Sequence, residues 1–236
     1  MIEKRDFSTL GHANHGWLNA RHHFSFGGYH DDARMGWGTL RVWNDDEIAP
    51  KSGFPTHAHR DMEIITYVRS GAITHRDSLG NEGRTEAGDV QVMSAGTGVQ
   101  HSEFNLEGEE TRLFQIWIIP NEAGGPPRWD AKQFPKGERS GKLEVLASGY
   151  DDDITGGALM IRADARLFGA TLATGESITH RIADGMSAYL VVSAGSVSVN
   201  GVDIGPRDAA AITKETDITI TASEDAEFLI AETRTH

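Results

Sequence analysis

Histidines at alternate positions in Thr56-His57-Ala58-His59, followed about forty residues later by His101-Ser102-Glu103, are the residues of this chain best suited to chemistry. In an extended strand successive side chains point to opposite faces, so His57 and His59 share a face, as do His101 and Glu103. Two such pairs brought face to face offer three imidazoles and a carboxylate. That donor set suits a divalent first-row transition metal, and six-coordination leaves positions open for a substrate. A lone His-x-His is also what a half-exposed strand carries as surface histidines. The second pair follows the glycine-dense Ser94-Ala95-Gly96-Thr97-Gly98, a turn able to redirect a strand, and the two pairs together favour a shared metal site.

The composition narrows the chemistry further. There is no cysteine, so thiolate nucleophiles, disulfides, cysteine-held zinc and iron–sulfur clusters are excluded, and a metal must be held by nitrogen and oxygen. A formal charge of -13 argues against direct nucleic-acid binding, which needs clustered Lys and Arg. No window is apolar enough for a membrane span, and Met1-Ile2-Glu3-Lys4-Arg5-Asp6 has no export signal, so a cytoplasmic location is expected. Nine of the eleven histidines lie at or before His101, which places the chemistry in the first half.

The elements that must position these residues are strands. Short runs rich in β-branched and aromatic residues, bounded by Gly, Asn or Asp, recur at 38–42, 62–68, 90–93, 113–119, 159–162, 167–173, 187–192, 196–199, 209–212 and 218–221. This is the pattern of an antiparallel sandwich or barrel. The one helix candidate is a turn or two near Pro127 to Phe134. Between Pro120 and Lys142 the chain turns to Gly, Pro and charge and reads as an interdomain connection. The two halves echo each other. Tyr67-Val68-Arg69-Ser70-Gly71-Ala72-Ile73 is matched by Val191-Val192-Ser193-Ala194-Gly195-Ser196-Val197, which predicts a duplicated fold divided into 1–130 and 131–236. The second copy offers only His180 where the first has His57 and His59, and is expected to be structural or a lid.

Gly53-x3-His57-x-His59-x3-Glu63-x7-Gly71 resembles the first cupin motif, and Gly88-x7-Gly96-x-Gly98-x2-His101-x3-Asn105 the second. Gly11-His12-Ala13-Asn14-His15-Gly16-Trp17, Phe24-Ser25-Phe26-Gly27-Gly28-Tyr29 and the run Met93 to Glu103 resemble the pirin family, in particular its bacterial branch. The resemblance is specific over the first half and only a general cupin outline over the second. It implies an all-β bicupin, two antiparallel jelly-roll barrels packed face to face, with one metal in the first. The ligands it implies are His57, His59, His101 and Glu103. Glu63, used by many cupins at that motif position, is the rival fourth ligand if its strand runs unbulged.

What the resemblance implies about function is quercetin 2,3-dioxygenase activity, the oxygen-dependent opening of a flavonol's central ring. Its partners would be a small aromatic substrate and O2. Its cofactor would be one divalent metal, Fe(II) first, with Ni, Mn, Cu, Co or Zn also compatible with such ligands. Glu103 would serve as ligand and general base. The alternative is a metal-dependent redox sensor acting on a protein partner; a metal-free sugar isomerase fits less well, because it does not need this quartet. Trp17, Phe24, Phe26, Trp37, Trp43 and Trp117 read as core or interdomain packing. His12, His15, His22 and His23 read as surface or supporting residues, and His75 as a cavity wall. Asp31-Asp32, Asp45-Asp46-Glu47, Glu107 to Glu110 and Asp151 to Asp153 read as solvated acidic turns.

Overall fold

The computed structural model describes residues 1–235 as two β-sandwich units, each a seven-stranded sheet facing a four-stranded one. In the first unit the large sheet runs, in spatial order, Arg128–Lys132, Val90–Ser94, Glu63–Ser70, Thr111–Ile118, Leu40–Ile48, Leu18–His22 and Gly11–Asn14. The small sheet is Ser52–His59, Val99–Asn105, Ala72–Asp77 and Glu82–Glu86. In the second unit the large sheet is Ile2–Arg5, Ala209–Ile212, Met186–Ala194, Ala226–Arg234, Ala165–Leu172, Glu144–Ser148 and Leu159–Met160. Its small sheet is Ser177–Arg181, Asp217–Ala222, Val197–Val199 and Val202–Ile204. This is the all-β bicupin expected from the motifs. Among the described residues no helix is long and apolar enough to cross a membrane.

The two large sheets pack against each other, which explains their residue patterns. Val90–Ser94 is buried at every position, because one face looks into the first sandwich and the other into the interface. Trp43, Tyr67 and Phe114 from the first unit share a buried cluster with Leu146, Tyr189 and Leu229 from the second. The N-terminal strand and the strand at Arg128–Lys132 tie the pair together. Ile2–Arg5 pairs antiparallel with Ala209–Ile212 of the second unit, while Arg128–Lys132 still pairs with Val90–Ser94 of the first. The helix expected near Pro127 to Phe134 is therefore a strand, because the Val90–Ser94 backbone supplies its hydrogen bonds.

Asp45 and Asp46 overturn the solvated-turn expectation. They lie inside strand Leu40–Ile48 at 0% and 2% exposure. Asp45 is neutralised at the interface by Arg69 and by the Arg207 Nε, 2.6 Å away. Truncating Asp45 to alanine leaves Arg69 buried without its partner and is expected to destabilise the protein by about 3 kcal/mol. The urea midpoint at unchanged slope measures it.

The two interiors differ. In the second unit Phe168, Leu190, Val192, Ile218, Phe228 and Ile230 fill the space between the sheets. In the first, the inward positions include Asn44, Asp46, Glu103 and Gln115, which line a cavity of about 500 Å³. The polar interior belongs to the unit that carries the histidine pairs.

Candidate metal centre

Strands Ser52–His59 and Val99–Asn105 are direct neighbours in the small sheet, with His57 opposite His101 and His59 opposite Val99. Residues opposite each other across a pair share a face, so all three imidazoles enter the same interior. Between His101 and Glu103 the register slips, and Glu103 stands opposite Phe54 rather than Pro55. Pro55 has no N–H to pair, which suits it to this bulge. Gly53 then passes so close that a Cβ there would sit 2.2 Å from the Glu103 carbonyl oxygen and 2.5 Å from the Phe104 Cα. The leading glycine of the first motif is thus a close-approach residue between the two strands that carry the histidines.

One donor atom from each of His57, His59 and His101 lies within 4.8 Å of the others. The Nε2 atoms of His57 and His101 are 3.1 Å apart. Two imidazole nitrogens bound to one cation at about 2.1 Å each stand about 3.0 to 3.4 Å apart, so the spacing fits a shared divalent ion. The tautomer at His57 agrees, since its Nδ1 lies 2.8 Å from the Pro55 carbonyl and must donate there. That leaves the Nε2 lone pair turned toward His101.

Burial, with the neighbouring imidazoles adding, lowers the His59 pKa to about 4 and that of His101 to about 3. Both rings are therefore neutral at neutral pH, the form in which an imidazole can bind a metal. The sign of the linkage follows: an unfolded chain protonates these histidines near 6.5, the folded chain only near 4 and 3, so folding releases protons in that window. The metal-free protein is expected to lose stability as pH falls from about 6.5 toward 4. Urea midpoints across that range, steeper for the parent than for a His59→Ala/His101→Ala double variant, would check this.

Glu103 enters the same pocket but is not in the close trio. Its Oε1 accepts from Gln91 Nε2 at 2.6 Å and Thr66 Oγ1 at 3.1 Å, and its Oε2 from Gln115 Nε2 at 2.5 Å. Three donors thus converge on one carboxylate and fix its orientation. Glu63 is elsewhere. Asp61, with φ of 49°, turns the chain after His59 and carries it from the small sheet to the large one, which breaks the parity with His57 and His59. Glu63 accepts from Ser94 Oγ at 2.6 Å beside Arg162 of the second unit, and burial pushes its carboxyl up.

Several residues assigned to packing face the cavity instead. Trp17, Phe26 and Trp117 line it, joined by Phe54, on which no expectation was placed, and Trp117 stands edge-on to His59 at 4.9 Å between ring centroids. Phe24, Trp37 and Trp43 do belong to the core between the units. His22 and His15 also reach the cavity, whereas His23 is buried beside Tyr189. His75 is not a cavity wall; it sits behind His101. Asp46, expected in a solvated turn, lines the cavity as well. Burial, with the Asp45 and Glu103 charges adding, pushes its carboxyl well above the ordinary range, and its Oδ1 has no hydrogen-bond partner. The alternation Asn44, Asp46, Ile48 on one face was the available signal.

Comparison with known proteins fits this geometry. A family model described as Pirin matches residues 3–118, and one described as Quercetinase C-terminal cupin domain matches residues 145–233. A pirin-like protein of Caulobacter vibrioides is 61% identical over 232 residues, covering 98% of this chain and 99% of its own. The chain belongs to the pirin family. Other similar members of the family are a putative quercetin 2,3-dioxygenase of Pseudomonas aeruginosa, 62% identical over 98% of this chain and 99% of its own, and a quercetin 2,3-dioxygenase of Escherichia coli, 43% identical over 98% and 97%. The crystal structure of the bacterial pirin YhhW from Escherichia coli in complex with nickel(II) superposes with a TM-score of 0.94 at 40% identity, covering 100% of both chains.

Proposed function

We propose that this pirin is a mononuclear-metal dioxygenase that opens the central ring of a flavonol such as quercetin. The observation that carries the reading is three imidazoles converging inside an aromatic-walled cavity of about 500 Å³ that also holds a carboxylate. That volume suits one small planar aromatic molecule. The names of the relatives from Pseudomonas aeruginosa and Escherichia coli support the substrate class, and the nickel complex of YhhW supports a divalent ion. Fe(II) is the metal we propose for this chain.

A divalent ion held by His57, His59 and His101 would supply Lewis-acid polarisation of a substrate oxygen. The remaining work falls to side chains. Trp117, Phe26 and Phe54 stack on the flavonol rings and keep water away from the reacting edge. Glu103 takes the 3-hydroxyl proton on Oε2, while Thr66 and Gln91 hold Oε1 in place before and after the transfer. The family resemblance also implies Glu103 as a fourth ligand; in that role Oε2 would exchange its Gln115 hydrogen bond for the ion and would leave the ion before taking the proton. Asp46, its carboxyl raised by burial and its Oδ1 without a partner, faces the same cavity and is placed to hydrogen-bond a polar group of the flavonol.

Oxygen uptake with a panel of flavonols, using iron-loaded, nickel-loaded and metal-stripped protein, tests the proposal. Metal-dependent uptake is expected. No uptake with any metal and any flavonol would favour the redox-sensor reading instead, for which the charge of -13 offers a surface suited to a basic protein partner.

A further inference from the structure

Behind the cavity-facing edge of His101 lies a second histidine that the proposed reaction does not use. His75 stands opposite Glu103, and Asp77 opposite His101, in the pairing of Ala72–Asp77 with Val99–Asn105. The His75 Nδ1 lies 3.4 Å from the His101 Nδ1, and the His75 Nε2 lies 3.1 Å from the Asp77 Oδ2. Both side chains are buried, at 1% and 0% exposure.

The hydrogen-bond order along this row follows from one end. Asp77 also accepts from the backbone N–H groups of Leu79 and Asn81 and from the Asn81 side chain. Burial opposes its ionisation, but the hydrogen bonds from Asn81, His75 and the backbone outweigh burial and hold its carboxyl below the usual range. An ionised carboxylate only accepts, so His75 must donate from Nε2. With a single ring proton, His75 carries it on Nε2 toward Asp77, and its bare Nδ1 accepts the Nδ1–H of His101. His101 is then left with its Nε2 lone pair facing the His57 Nε2, 3.1 Å away.

We propose that Asp77 and His75 act as a positioning relay that sets the tautomer and ring orientation of His101 as a metal ligand. The relay is clamped from behind. The Trp129 ring lies flat on His75, with centroids 4.9 Å apart and planes within 9°. Gly83 makes room for it, since a Cβ there would come within 2.2 Å of the Trp129 ring. Trp129 lies on Arg128–Lys132, the last strand of the first unit, so the segment leading to the second unit also fixes the back of the metal centre. The inference rests on the metal-site reading of the three histidines, but not on any particular reaction.

His75→Phe keeps a flat ring against Trp129 and removes the acceptor, whereas His75→Gln restores an acceptor oxygen. Two measurements separate a relay from packing: Ni(II) affinity by competition with a chromophoric chelator, and the His101 tautomer in metal-free protein by long-range 1H–15N NMR. We expect His75→Phe to weaken Ni(II) binding by about 10- to 100-fold and His75→Gln to recover it to within about threefold of the parent. The parent His101 should show a single Nδ1–H form, mixed with the Nε2–H form only in His75→Phe. Parental affinity and a single tautomer in His75→Phe would overturn the relay. Equal losses in both variants would also overturn it, making His75 a packing residue. A parent that binds no Ni(II) would sink the metal reading, and the tautomer measurement would still decide the relay.

Discussion

His101→Ala is expected to weaken divalent-metal binding by more than about 100-fold, beyond the loss typical of a supporting residue, and to reduce flavonol turnover to background. His101 sits at 2% exposure between His57 and His75, with His57 Nε2 3.1 Å from its own. Its removal takes away one of three donors and also the ring against which those of His57 and His59 pack. The fold should survive, because the strand pairing on either side of His101 is made by backbone and not by the imidazole. Competition with a chelator, alongside circular dichroism, measures both. Retention of stoichiometric, tight metal by a folded His101→Ala protein would remove the trio as the metal centre.

Glu103→Gln is expected to lower flavonol turnover by about 10²- to 10⁴-fold, the range lost with a general base. The substituted amide would keep the shape of the side chain but bring an NH2 group into a cage whose three members, Gln91, Gln115 and Thr66, all donate to the glutamate. One donor–donor opposition costs about 1–3 kcal/mol, so the variant folds with a lower urea midpoint. Metal affinity separates the two roles proposed for Glu103. A base alone leaves Ni(II) affinity near parental, whereas a fourth ligand gives a fall approaching that of His101→Ala. Unchanged turnover in a folded variant would take Glu103 out of the mechanism.

Strand periodicity was enough to put His57 and His59 on one face, because alternation is a local property of extended backbone, whereas the interior they share with His101 comes from the pairing of two strands. The missing cysteines confined any metal to nitrogen and oxygen donors, and the echo between the halves foretold two sandwiches of the same make. Glu63 shows where such reasoning stops. Its parity with His59 was real along the chain, but the turn at Asp61 hands the strand to the opposite sheet, and the carboxylate ends beside Arg162.

Only the tertiary structure decided what surrounds the histidines. Thr66, Gln91 and Gln115 come from three strands of the large sheet and meet at Glu103 across the interior. Trp17, Phe26 and Trp117 look like core residues by type, and only the presence of a cavity between the sheets makes them walls. Asp45 and Asp46 look like a solvated pair, but Arg69 and Arg207 lie far from them along the chain, and Arg207 comes from the other unit. Sequence therefore determined which faces the side chains take, a matter of neighbouring backbone geometry. Which faces meet is set by packing two large sheets against each other, and that depends on every strand at once.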